Sequence, residues 1–109
     1  MKIVNLTNRG NTDGHTALGV VSSPIIDHPI WSEFRNYRVP AQNKLRALAD
    51  KFAEFALTAQ ANDRGISYAW IDPPNYFARY LEDALYSAGI TPLYAIHRPD
   101  GEFIGFCRG

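Results

Sequence analysis

Three short stretches of this 109-residue chain concentrate side chains that can do chemistry. Asn5, Thr7, Asn8 and Arg9 sit near the start. Asp72, Asn75 and Tyr76 flank a double proline. His97 and Arg98 precede Pro99-Asp100-Gly101. Together they supply amide donors, a hydroxyl, two guanidinium groups, a carboxylate, a phenol and an imidazole. Guanidinium forks bind carboxylate and phosphate in two-pronged fashion. A few convergent polar groups around an aromatic wall are the usual make-up of a small-molecule site. The set therefore suits an anionic or nucleotide-like ligand better than an apolar one. Arg9, Asn5, Thr7 and Asn8 would meet phosphate or ribose, Asp72, Asn75 and Tyr76 a base, and Arg98 would complete the site. His97 is its catalytic candidate, as an acid or base. Whether any reaction follows is left open by the residues. The three histidines, His15, His28 and His97, are not spaced as metal ligands, so neither a metal nor a cofactor is expected.

Each of these residues also has an ordinary structural use. Asp72, ahead of Pro73-Pro74 and a helix, is of the residue type that caps helices. Thr7 and Asn8 are common turn residues. Asn8-Arg9-Gly10-Asn11-Thr12-Asp13-Gly14 stands where a phosphate loop would, after a strand and before a helix, but its glycines fit neither the dinucleotide nor the Walker pattern. Trp70-Ile71-Asp72-Pro73-Pro74-Asn75-Tyr76 is similar to the Asp-Pro-Pro-aromatic loop of amino-group methyltransferases. Asn75 displaces the aromatic, the glycine-rich cofactor loop is missing, and the chain is short for that fold, so methyl transfer is set aside.

These stretches must be positioned by regular elements. Lys2 to Leu6 reads as a buried strand. Thr12 can cap a short helix over 13–18, with Gly19 just beyond it. A connector holding Pro24, Pro29 and Pro40 follows, with a short helix starting at Asp27 or His28 and passing through Trp31 and Phe34. From Ala41 to Ala61 the apolar groups Leu45, Leu48, Phe52, Phe55, Ala56 and Ala59 recur at helical spacing. Ile66 to Ile71 is a strand, Asn75 to Ala88 a helix with Phe77, Leu81, Ala84 and Leu85 on one side, and Thr91 to His97 a strand. The Pro99-Asp100-Gly101 turn returns the chain along Glu102 to Arg108 as an antiparallel partner. Strand, helices, strand, helix, strand, strand implies parallel pairing through right-handed crossovers. The expected architecture is one α/β domain over 1–109, a small Rossmann-like sandwich. It would have three parallel strands, an antiparallel C-terminal edge strand and spatial order 2-1-3-4, with 1-2-3-4 as the competitor. Order 2-1-3-4 puts a topological switch point beside the first strand, where open α/β sheets bind ligands.

Composition narrows the partners. Eleven Lys+Arg balance eleven Asp+Glu. A net charge of zero gives no excess of cations for counterion release, which argues against bulk nucleic acid as the partner. It also lowers repulsion between copies, so a homodimer is compatible. No stretch approaches a membrane span, and the start has no signal-peptide core. A single cysteine, Cys107, fits a reducing cytoplasm and reads as a small core residue. The connector suggests a second kind of function. Trp31 and Phe34 alternate with Arg35 and Arg38, and interfaces favour aromatics and arginine. On that alternative, residues 28–38 make the chain a non-catalytic protein-binding module, such as an inhibitor of a host or defence factor. Otherwise the same rings cover the core.

The chain also resembles a family of small bacterial and phage α/β proteins. The resemblance rests on Asn5-Leu6-Thr7 with Thr12, Gly19-Val20-Val21, Pro74-x-Tyr76-Phe77, Leu81-Glu82-x-Ala84-Leu85, Gly89-Ile90-Thr91-Pro92-Leu93-Tyr94-Ala95 and Gly105-Phe106. Arg9 stands where that family usually has a histidine, and the loop after the third strand is shorter. More remotely, the layout is similar to small CRISPR-associated Rossmann-like domains that bind cyclic oligonucleotides. The resemblances imply a compact α/β fold and no particular reaction. With the convergent strand-end residues and the single cysteine, the expectation is a small cytoplasmic domain that binds a nucleotide or similar anionic small molecule, as a phage or mobile-element accessory protein would.

Overall fold

A computed structural model describes residues 1–21, 29–34 and 40–109. The chain is mixed α/β. Strand β1 (Lys2–Asn5) leads to a short helix α1 (Asp13–Ala17) and a 3-10 turn over Pro29–Phe34. Helix α2 (Gln42–Asn62), strand β2 (Ile66–Trp70), helix α3 (Asn75–Ser87), strand β3 (Thr91–His97) and strand β4 (Phe103–Arg108) follow. Strands β1, β2 and β3 are parallel and β4 is antiparallel to β3. No helix among the described residues is long and apolar enough to cross a membrane.

The sheet order is β1-β2-β3-β4, which corrects the expected 2-1-3-4. Two features account for it. The outer edge of β1 is already occupied by Gly19–Val21, because the Ile3 N–H donates to Gly19 O at 2.9 Å and the Val21 N–H donates to Ile3 O at 2.8 Å. Moreover, β2 is the strand built for a central place. Ile66, Ala69, Trp70 and the following Ile71 are all buried, as befits a parallel strand covered on both faces. With this order there is no switch point beside β1, so a site must come from elsewhere.

The two faces of the sheet differ. Consecutive parallel crossovers in one direction put their helices on one side, and α2 and α3 share one core there. Val4, Leu6, Ala69 and Ile71 from the sheet side meet Leu45, Leu48, Phe52, Phe77, Leu81 and Leu85. In α2 the buried stripe is Leu45, Leu48, Ala49, Phe52, Ala53 and Ala56, close to the predicted one, with Phe55 and Ala59 at its margin. Helix α3 ends at Gly89, whose φ of +78° suits a residue without a side chain. The Ile90 N–H returns to Leu85 O at 2.9 Å. Strand alternation points Ile3, Trp70 and Leu93 to the opposite face, where Val20, Tyr68, Ala95 and Phe106 join them. On that face α1 lays His15 against Trp70.

Trp31 and Phe34 are half-buried in the helix-side core. The Trp31 ring meets Phe52 edge-on at 5.3 Å, and Phe34 lies 4.9 Å from Phe77. They cover the core rather than form an exposed patch. Arg35 and Arg38, the other residues of the protein-binding reading, lie outside the described residues, as does His28. Cys107 is exposed rather than in the core. It sits on the edge strand opposite Tyr94.

Candidate functional site

The loop after β1 is built by buried polar groups. Asn5 and Thr7 are both fully buried. The Asn5 Oδ1 accepts from the Thr7 amide at 2.9 Å and from Thr7 Oγ1 at 2.6 Å. Its Nδ2 donates to Arg9 O at 2.7 Å and Asn11 Oδ1 at 2.8 Å. The Arg9 amide donates back to Thr7 Oγ1 at 3.0 Å. Buried amides and hydroxyls need such partners. Asn5 and Thr7 therefore hold the loop and present Arg9, and the structure does not expose them to a ligand. Asn8 is exposed on the same loop.

Arg9 reaches across the strand ends. Its Nε lies 3.0 Å from Asp72 Oδ2, and both side chains are about half exposed. Asp72 does not cap α3, whose N-cap is Pro74 with no side-chain hydrogen bond. Two adjoining hollows open here. The larger, about 470 Å³, is lined by Arg9, Thr12, His15, Trp70, His97 and Phe103, among others. The smaller, about 110 Å³, shares Arg9, Trp70 and His97 and adds Asp72 and Tyr94. Arg9, Asp72 and His97 thus converge from the ends of three strands, as expected. The remaining expected residues do not join them. Asn75 is exposed at the start of α3. Tyr76 lines a separate groove between α2 and α3. Arg98 lies in the turn, 3.7 Å from Glu102.

The groove that holds Tyr76 is larger, about 630 Å³. It is an open trough between helix flanks, edged by Arg46, Asp50, Arg79 and Asp83. The strand-end cleft is the better candidate because it combines a cation, two imidazoles, aromatic walls and an unsatisfied buried polar atom.

That atom belongs to His15, which sequence reasoning left out of the site. His15 is 5% exposed. Its ring stacks on Trp70 at 4.3 Å and lies under Phe103 at 4.1 Å. Phe103 reaches it at an irregularity in the β3–β4 register between Ile96 and His97. Bulges next to sites re-aim side chains in this way. Gly14 gives the ring room, since a Cβ there would stand 3.3 Å from Phe103. Thr12 and His15 form a capping box. The Thr12 amide donates to His15 Nδ1 at 3.0 Å, and Thr12 Oγ1 is 2.8 Å from the same nitrogen. An accepting Nδ1 assigns the proton to Nε2. Nε2 is buried and has no hydrogen-bond partner among the described residues. Burial, and secondarily the charge of His97, hold the His15 imidazole below its ordinary value of 6.5. Burial, then Glu82, push the phenol of Tyr94 up to about 12. The available signal for His15 was positional: it is the third residue after a capping threonine.

Among the described residues no cluster of three histidine, cysteine or acidic side chains could hold a metal ion. No family model matches the chain, and neither a curated protein nor a solved structure matches it.

Proposed function

We propose that this domain binds a small anionic molecule bearing a flat ring, a nucleotide or something chemically similar, in the strand-end cleft. The observation that carries the reading is the meeting of Arg9 and His97 in one wall with the rings of Trp70 and Phe103. A guanidinium and an imidazole answer an anion, and aromatic walls answer a ring. The volume lies within the range of small-molecule sites and favours a mononucleotide over a cyclic oligonucleotide.

Asp72 is an internal competitor for Arg9. An exposed ion pair is worth about 1 kcal/mol or less, so an entering anion can displace the carboxylate at small cost. Calorimetric titration with nucleoside mono- and diphosphates, cyclic mononucleotides and cyclic oligonucleotides tests the reading. A mononucleotide is expected to bind. Arg9→Ala should weaken it about 10-fold or more, the range for a hydrogen bond to a charged group. Asp72→Asn should leave binding intact or tighten it. Binding that ignores Arg9→Ala, or no saturable binding by the panel, refutes the proposal.

A further inference from the structure

We infer that the buried His15 couples ligand binding in this cleft to the uptake of one proton; the inference rests on reading the cleft as an anion site. His15 has the structural features of such a device. Its ring is enclosed by Trp70 and Phe103, yet it lines the cleft that Arg9 and His97 share. None of the ion pairs among the described residues involves it. An imidazolium buried without a counter-charge is costly, so in the absence of an anion His15 stays neutral.

The charged and titratable groups around it come from every neighbouring element. Asp13 is on α1 itself, Arg9 on the loop after β1, Asp72 beyond β2, His97 on β3 and Glu102 before β4. Asp72 is engaged by Arg9 and Glu102 by Arg98. An anion entering the cleft adds the missing negative charge. The proton comes from solvent and adds to Nδ1, the accepting nitrogen. The new Nδ1–H can donate to Thr12 Oγ1, already 2.8 Å away, while the Thr12 amide loses its acceptor. The capping contact therefore survives protonation with donor and acceptor exchanged. Burial keeps the imidazole below 6.5 before the anion arrives, which leaves a range of pH in which binding draws a proton in.

Two probes that carry no titrating group between pH 5 and 8 test this, a nucleoside 3′,5′-cyclic monophosphate and inorganic sulfate. Nitrogen-detected NMR of the full chain reads the His15 tautomer and midpoint directly. The expected result is a neutral Nε2–H ring at pH 7 without probe and a midpoint about one pH unit higher at saturation. That shift corresponds to about tenfold tighter binding at low pH than at high pH. Calorimetry in buffers of different ionisation enthalpy should show up to one proton taken up per probe bound. His15→Gln should lose the pH dependence that the unaltered protein shows. If His15→Gln does not fold, the NMR midpoint of the unaltered protein decides. A probe that saturates while the His15 midpoint stays still overturns this inference and leaves the cleft reading intact. Uptake that persists undiminished in His15→Gln overturns it too. Failure of both probes to saturate overturns the cleft reading and the inference together.

Discussion

Replacing Asn5 by alanine should unfasten the loop that carries Arg9. Among the described residues the side chain makes four hydrogen bonds, two accepted from Thr7 and two donated to Arg9 O and Asn11. Not all four are lost for good. Thr7 Oγ1 already lies 3.4 Å from Arg9 O and can turn to it, and the Asn11 side chain can turn toward solvent because it is exposed. The lasting damage is a buried Thr7 amide without a partner and a weakened acceptor at Arg9. Each unsatisfied buried group costs about 1–3 kcal/mol, so roughly 3 kcal/mol is expected in all. A domain of this size holds only about 5–15 kcal/mol of stability. Urea unfolding should show the loss as a lower midpoint with an unchanged slope. In a thermal scan the fall would be roughly 12–24 °C. Asn5→Asp is the companion variant. It keeps the acceptor for Thr7 and removes both donors, so it separates the two halves of the network. A loss below about 1 kcal/mol for Asn5→Ala would refute the argument that this network holds the loop.

Further predictions follow from individual residues. Gly19 has a φ of +106° and a Cβ there would collide with the Met1 carbonyl, whereas Gly89, at +78°, faces open space. Gly89→Ala should therefore cost about 1–2 kcal/mol and Gly19→Ala clearly more, measured by urea melts of the two variants. His15 is held below 6.5 in the folded chain. The unfolded chain then binds more protons, so stability is full above pH 6.5 and falls as the pH drops below it. His15→Phe should flatten that limb of a stability–pH curve, and an unchanged slope would count against it. Tyr94 is raised to about 12, so its contribution is present below pH 10 and is lost as the pH rises toward 12. An absorbance titration of Tyr94→Phe should lack the late tyrosinate step.

Much of the fold was legible because it depends on local pattern. The stripe from Leu45 to Ala56, the capping Thr12 and the breaker Gly89 mark their helices without reference to the rest of the chain. Sheet order was not, because it turns on which strand is covered twice and on what Gly19–Val21 does at the edge of β1. The convergence of Arg9, Asp72 and His97 survived the wrong order for a simple reason. The carboxyl ends of parallel strands share one side of a sheet in any arrangement. Asn5 and Thr7 were misread because polar residues at a strand end look alike whether they face a ligand or tie down a loop. Tyr76 was lost through helix phase: its neighbour Phe77 takes the core, and Tyr76 turns to the flank. His15 was left out of the site because it stands in a polar loop, where nothing in the sequence shows that Trp70 draws its ring under cover.

The sheet order also bears on how the chain assembles. Pairing β3 with β4 closes a turn of about five residues, whereas pairing β1 with β2 closes a loop of about sixty. Loop entropy alone separates these steps by about 2 kcal/mol. On this argument the hairpin and its helix form early and β1 arrives late, because local contacts are the fast ones. Pulse-labelled hydrogen exchange should protect the amides of β3 and β4 before those of β1, and the opposite order would refute it. Since β1 leads into the Arg9 loop, the cleft wall closes only at the last stage of folding. A newly made chain would therefore be competent to recognise its ligand only once it is whole.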